Sequence, residues 1–159
     1  MNQLKPILLV EDSSKDIELI LAAFEESHVA NQVIVVRDGI EALEYLRRQG
    51  GTGGNSYPIV ILLDIKMSKL SGIEVLRVIK AEPKLRHLPV VMLTSSRESP
   101  DVGECYRLGA HAYVVKPVGA AEFFQAVKEV GRFWAVVNQP PEQIEREEGI
   151  GAAVAAGPE

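Results

Sequence analysis

The sequence predicts an α/β fold: a five-stranded parallel sheet, doubly wound, with helices on both faces. Three observations carry that prediction. Short apolar runs alternate along the chain with segments in which apolar residues recur every three or four positions, and strict strand–helix alternation implies right-handed crossovers and a parallel sheet. The central run, Ile59-Val60-Ile61-Leu62-Leu63, has no polar alternation, as expected of a strand buried on both faces. The runs end on polar groups, Glu11-Asp12, Asp64, Thr94 and Lys116, and open α/β sheets build their sites at the carboxyl ends of their strands.

The elements follow in order. Ile7 to Val10 is the first strand. Ser13 opens a helix, with Ser13-x-x-Asp16 in the form of a capping box and Ile17, Ile20, Leu21 and Phe24 on one face; it ends between Glu26 and His28. Val33 to Val36 is the second strand, closed by Arg37-Asp38-Gly39. A helix follows with Ile40, Leu43, Leu46 and Tyr45 turned inward, ending at Gly50. Residues 50–56 hold four glycines in seven residues, a composition that regular structure tolerates poorly, and read as a mobile loop. No lysine follows and a strand comes next, so a phosphate-binding loop is disfavoured. After the central strand, a helix over 73–81 places Ile73, Leu76 and Ile79 or Lys80 in register, and Pro83 stops it. Val90 to Leu93 is the fourth strand, ending in Thr94-Ser95-Ser96. A polar helix runs from Pro100 or Asp101 to Leu108, capped by Gly109. Tyr113 to Val115 is the fifth strand, and Lys116-Pro117 ends it. In the last helix Phe123, Val127, Val130, Trp134 and Val137 recur at steps of four and three, before Pro140-Pro141. The reading is one domain over 1–138 and a charged, then Gly/Ala-rich, disordered tail over 139–159, too short to be an output domain.

Composition narrows the function. The 159 residues are 47% apolar and 25% charged, with net charge −5 and pI near 5.3, the balance of a globular domain. An acidic chain of this kind is not expected to bind nucleic acid. Cys105 is the single cysteine, so no internal disulfide can form. No 18-residue apolar run and no signal-peptide pattern are present, and a cytoplasmic location away from membranes is expected.

If the strands are parallel, Glu11, Asp12, Asp64, Thr94 and Lys116 share one sheet edge. Three carboxylates and one lysine sum to −2, and close like charges either raise a pKa or recruit a cation. Oxygen donors without paired His or Cys favour a hard divalent ion, Mg²⁺, with Mn²⁺ or Ca²⁺ as alternatives. Lys116 and Thr94 suit the oxygens of a phosphoryl group, and a carboxylate left partly free can act as nucleophile. The chemistry points to metal-assisted phosphoryl transfer onto Asp64.

Leu-Leu-Val-Glu11-Asp12, Leu-Leu-Asp64-x-x-Met67-x-x-x-x-Gly72, Leu-Thr94-Ser95 and Tyr113-x-x-Lys116-Pro117 together resemble the receiver (CheY-like) domain of two-component response regulators, over about residues 6 to 138. In detail, Val-Arg-Asp-Gly-x-Glu-Ala-Leu at 36–43, Lys116-Pro117-Val118 and Phe133-Trp134 resemble the stand-alone receivers that partner bacterial and cyanobacterial phytochrome kinases. The resemblance implies the flavodoxin-like strand order 2-1-3-4-5. It implies that Asp64 accepts a phosphoryl group from a sensor histidine kinase. Asp12, Glu11, Asp64 and the backbone carbonyl of Lys66 would hold Mg²⁺. Thr94 would bond a phosphoryl oxygen after a small loop shift, Lys116 would pair with another, and Tyr113 would swing inward when Thr94 moves, changing the surface of helix four, strand five and helix five. The Lys116-Pro117 bond would be cis. Such a protein modifies itself and is not a metabolic enzyme. Three departures stand out: Glu11 where Asp is equally common, Ser68 in place of a frequent proline, and a longer Gly-rich loop before strand three.

An acid pair after a strand is usually a helix cap, a Lys-Pro a turn and a lone tyrosine a core residue; only the combination lifts them. Cys105 has no histidine partner in a catalytic pattern, and His28, His87 and His111 lack ligand spacing, so solvated or packing roles are expected. A haloacid-dehalogenase-type phosphatase would need an aspartate where Lys66 stands. A flavodoxin-like cofactor carrier would need a hydroxyl-rich loop where Glu11-Asp12 stand. A phosphate-independent interaction module is the remaining alternative. Adjacent Phe123 and Phe124 put apolar groups on two sides of the last helix, which suggests a homodimer through that helix and strand five.

Overall fold

The protein is described from a computed structural model, over residues 4–49, 57–96, 98–117 and 119–137. The loop expected over 50–56 and the tail expected over 139–159 lie outside the described residues.

Five strands alternate with five helices: β1 (Ile7–Val10), α1 (Ser14–Glu26), β2 (Val33–Val36), α2 (Gly39–Gln49), β3 (Val60–Leu63), α3 (Gly72–Ala81), β4 (Val90–Thr94), α4 (Ser99–Leu108), β5 (Ala112–Val115) and α5 (Ala120–Arg132). A π-helical turn, Phe133–Val137, continues α5. The strands form one parallel sheet in the order β2-β1-β3-β4-β5.

The three inner strands, β1, β3 and β4, are buried on both faces and the edge strands β2 and β5 are mostly half-buried, which is why the inner strands read as unbroken apolar runs. Leu8, Val10, Ile61, Leu63, Val90 and Met92 face a core closed by Ala42, Leu43 and Leu46 of α2, Val75, Leu76 and Ile79 of α3, and Cys105 of α4. Ile7, Leu9, Val60, Leu62, Val91 and Leu93 face the other core, closed by Ile17, Ile20 and Phe24 of α1, Phe123 and Val127 of α5, and Trp134.

Helix ends follow local chemistry. Ser13 caps α1 and Ser71 caps α3, the latter with a complete capping box through Glu74. Gly109 ends α4 at φ 102°, a conformation that glycine adopts without a Cβ penalty. Gly72 has a different reason to be glycine: a Cβ there would overlap the carbonyl oxygen of Asp64 and come within 2.8 Å of Ile65 Cα. The start of α3 therefore lies flush against the backbone that leaves β3.

Several expectations need correction. Ile40 and Leu21 are not on buried faces; they are 47% and 38% exposed. On α2 the buried stripe is Ala42, Leu43 and Leu46, so Ile40 falls outside it at 3.6 residues per turn. Phe124 does not open a second apolar face; it packs, half-buried, on the same core as Phe123. No described peptide bond is cis, so Lys116-Pro117 is trans, the isomer favoured by about 0.5–1 kcal/mol before proline.

Gly72→Ala is expected to lower stability by about 1–3 kcal/mol, because rigid backbone must give way. Gly103, inside α4 with only the Arg107 side chain near, its Nη2 at 3.7 Å from an added Cβ, is the opposite case: Gly103→Ala should gain about 0.5–1 kcal/mol from helix propensity. Urea unfolding of both variants would check the two signs.

Candidate functional site

Parallel register assembles the site. Val10 pairs with Val36 on one side and Leu63 on the other. The next residues on β1 and β3 are Glu11 and Asp64, so both leave the sheet at the same level. Their backbone N–H groups are held by Val36 O at 3.0 Å and Val10 O at 3.1 Å. Thr94 pairs with Val115, and the N–H of Lys116 donates to Thr94 O at 2.7 Å, which brings Lys116 to the same edge.

Glu11 and Asp64 are buried, whereas Asp12 is exposed. One carboxylate oxygen from each of the three lies within 4.8 Å of the others. Two unit charges about 5 Å apart repel by roughly 3 kcal/mol at an effective dielectric of 20, so the cluster needs positive charge. The Lys116 ammonium supplies it, donating to Glu11 Oε2 at 2.6 Å and Asp16 Oδ2 at 2.8 Å, with Asp64 Oδ2 further away at 3.5 Å. Burial pushes the Glu11 carboxyl up to about 7, against the lowering effect of its hydrogen bond to Lys116. Burial disfavours the charge on Lys116, but its bonds to Asp16 and Glu11 and the field of Asp64 outweigh that and hold its pKa above the ordinary lysine value.

Asp64 Oδ1 is buried and has no hydrogen-bond partner among the described residues. A buried acceptor without a partner is costly. With a donor set made only of oxygens, it fits a hard divalent cation held by Glu11, Asp12 and Asp64.

Thr94 and Tyr113 are joined through Ser96. Thr94 is fully buried, and its Oγ1 accepts from the Ser96 N–H at 3.4 Å. The Tyr113 hydroxyl donates to Ser96 O at 2.9 Å, and Tyr113 is half-buried against the α2–α4 core. The Ser96 hydroxyl donates to Asp101 of α4. The side chain of Lys66 is exposed.

The structure thus brings Glu11, Asp12, Asp64 and Lys116 into one cluster and sets Thr94 and Tyr113 on a connected arm. Two participants escaped the sequence reading. The sequence reads Asp16 as a capping residue; its signal is the shortness of its side chain for that task. Ser96 was one of two adjacent serines, and nothing in the sequence separates the buried one from exposed Ser95. The histidines behave as expected: His28 is exposed, His87 lies edge-on to Tyr57, and His111 Nδ1 accepts from the Val90 N–H. Cys105 is buried and its thiol is pushed up to about 11, burial being the main cause, as befits an inert core residue. Among the described residues, no helix is long and apolar enough to cross a membrane.

Comparison with known proteins agrees with this geometry. Response regulator Rcp1 of Synechocystis is 38% identical over 133 residues, which is 84% of this chain and 90% of Rcp1. A Mn(2+)-bound form of Rcp1 has been solved and superposes with TM-score 0.79 at 36% identity, covering 86% of this chain and 99% of that one. The phosphorylated cyanobacterial phytochrome response regulator RcpA superposes with TM-score 0.80 at 40% identity, covering 87% and 99% of the two chains. The bacteriophytochrome response regulator RtBRR is 49% identical, with TM-score 0.67 over 96% of each chain. The family model for the response regulator receiver domain matches residues 7–128, and the chain belongs to that family.

Proposed function

We propose that this protein accepts a phosphoryl group on Asp64 from a phosphohistidine of a sensor histidine kinase, in a reaction that needs Mg²⁺, and signals through the resulting change in the α4–β5–α5 surface. The observation that carries this reading is the buried Asp64 carboxylate, with one oxygen unpartnered, beside Glu11, Asp12 and the Lys116 ammonium. Similarity to RcpA, which has been seen phosphorylated, and to Rcp1, which has been seen with Mn(2+), supports it. The phytochrome-associated relatives favour a phytochrome-type kinase as the donor.

In this mechanism a carboxylate oxygen of Asp64 attacks phosphorus. The P–O bond forms as the P–N bond breaks; the imidazole, protonated on its other ring nitrogen, keeps the bonding pair and leaves as the neutral base. Glu11, Asp12, Asp64 and the backbone carbonyl of Lys66 would hold the cation. The cation, when bound, offsets charge on the transferring oxygens. Lys116 would pair with a phosphoryl oxygen. Thr94 bonds one of them, giving up its contact with the Ser96 N–H, and the pull on Ser96 reaches Tyr113 and Asp101 through the bonds they share with it. The protein is the substrate of this one transfer and turns over no external metabolite.

A homodimer through α5 and β5 remains part of the proposal. β5 is an edge strand of the sheet, with one side open to pairing, and Phe133 is 48% exposed where α5 ends.

Incubation with acetyl phosphate, read by intact mass, tests the central claim. One phosphoryl group should be gained with Mg²⁺, none without it, and none in Asp64→Asn. A wild-type protein that stays folded and gains nothing would overturn it.

A second prediction concerns pH. With the Glu11 carboxyl near 7, protons compete with the cation below that value. Mg²⁺ affinity measured by calorimetry should weaken by about tenfold between pH 8 and pH 6, and Glu11→Gln should flatten the profile. The cation-free protein should show the opposite trend in stability. Its folded state holds the Glu11 proton more tightly than the unfolded chain does, so that contribution is present below pH 4.5 and is lost as pH rises through 7.

A further inference from the structure

We infer that Asp16 is a positioning residue that parks the Lys116 ammonium away from Asp64 before phosphoryl transfer and so restrains the rate of that transfer; the inference rests on the phosphoacceptor reading above. The ammonium has three protons to donate, and its contacts are uneven. Glu11 Oε2 and Asp16 Oδ2 lie at 2.6 and 2.8 Å, whereas Asp64 Oδ2, at 3.5 Å, is outside the usual hydrogen-bond range. Lys116 is thus drawn toward β1 and α1 rather than toward the proposed acceptor.

Helix capping does not explain Asp16. In a capping box the third residue of the helix reaches back to the backbone N–H of the cap, and Glu74 does so for Ser71 at the start of α3. At the start of α1, the Ser13 N–H is taken instead by Glu11 Oε1, at 3.2 Å. The Ser13 hydroxyl still accepts from the Asp16 N–H at 3.3 Å, which fixes the Asp16 backbone in the first turn. Its carboxylate is left to face Lys116, with side-chain exposures of 25% and 9% in the pair. Asp16 does not belong to the group of three carboxylates that could share a cation, so its charge acts on the site through Lys116.

The consequence is directional. Removing the Asp16 charge leaves the ammonium with Glu11 and Asp64, brings it toward the incoming phosphoryl oxygens and makes the site one unit less negative toward an anionic donor. Asp16→Asn should therefore raise the rate constant for phosphorylation of Asp64 by acetyl phosphate, at saturating Mg²⁺, by about fivefold, the size expected of a partly exposed ion pair. Asp16→Glu keeps the charge and should stay close to the wild-type rate. A merely structural role would slow both variants or neither.

The Lys116 side-chain ¹⁵Nζ resonance in the cation-free protein provides a second readout that does not depend on phosphorylation. It should shift in Asp16→Asn and little in Asp16→Glu. A rate in Asp16→Asn at or below wild type, equal acceleration in both variants, or an unmoved Lys116 resonance would overturn the inference. A wild-type protein that is never phosphorylated, but whose Lys116 resonance shifts in Asp16→Asn, would remove the phosphoacceptor reading and the restraint on rate, and leave only the ion pair.

Discussion

Like charge crowded at one edge of a buried sheet is the constraint on which the rest of this structure depends. Glu11 and Asp64 emerge side by side because β1 and β3 are parallel and in register. Backbone bonds from Glu11 to Val36 and from Asp64 to Val10 hold both residues at that level. The Lys116 ammonium is therefore a structural necessity, paired with Glu11, Asp16 and Asp64. Burial still holds Glu11 near 7 against its bond to Lys116, and one oxygen of Asp64 has no partner among the described residues. A cluster of oxygen donors with one buried acceptor left over fits a hard divalent cation.

That local strain is tolerated because the scaffold below it has no competing polar demands. The strands are apolar on both faces, and two separate cores, one under α1 and α5 and the other under α2, α3 and α4, clamp the sheet. Gly72 extends this rigidity to the site, since the start of α3 rests on the carbonyl of Asp64 with no room for a Cβ. The arm from Thr94 through Ser96 to Tyr113 and Asp101 is made of single hydrogen bonds. Bonds of that kind, each worth about 1 kcal/mol net, exchange far more easily than packed side chains. The carboxylate half of the edge is therefore the more rigid, and the arm the more easily rearranged.

The opposite edge of the sheet uses its polar residues differently. His111 accepts from the Val90 N–H and lies edge-on to Trp134, 6.0 Å between ring centres. Burial lowers its pKa, with Lys80 adding to the effect, and Lys80 itself is satisfied by the carbonyls of Arg86 and Leu88. Titratable groups there are paired with backbone and serve the fold. At the carboxyl edge they are paired with one another, and charge is left over.

The sequence by itself determined the fold class, all five strands, all five helices and the positions of Glu11, Asp12, Asp64, Thr94 and Lys116. Each of these is encoded locally: apolar runs without alternation mark strands buried on both faces, and a polar residue ending such a run marks the sheet edge. Tertiary structure alone decided which neighbours compete for one group. The turn of α1 aimed Asp16 at Lys116, one hundred residues away, because Glu11 had already satisfied the cap. The path of the chain after β4 buried Ser96 and left Ser95 exposed. Ile40 and Leu21 are apolar yet exposed, because helical spacing defines a stripe but not how far the neighbouring elements reach across it. Periodicity is a property of adjacent residues, whereas the partner of a charge depends on distances between segments that the chain brings together only by folding.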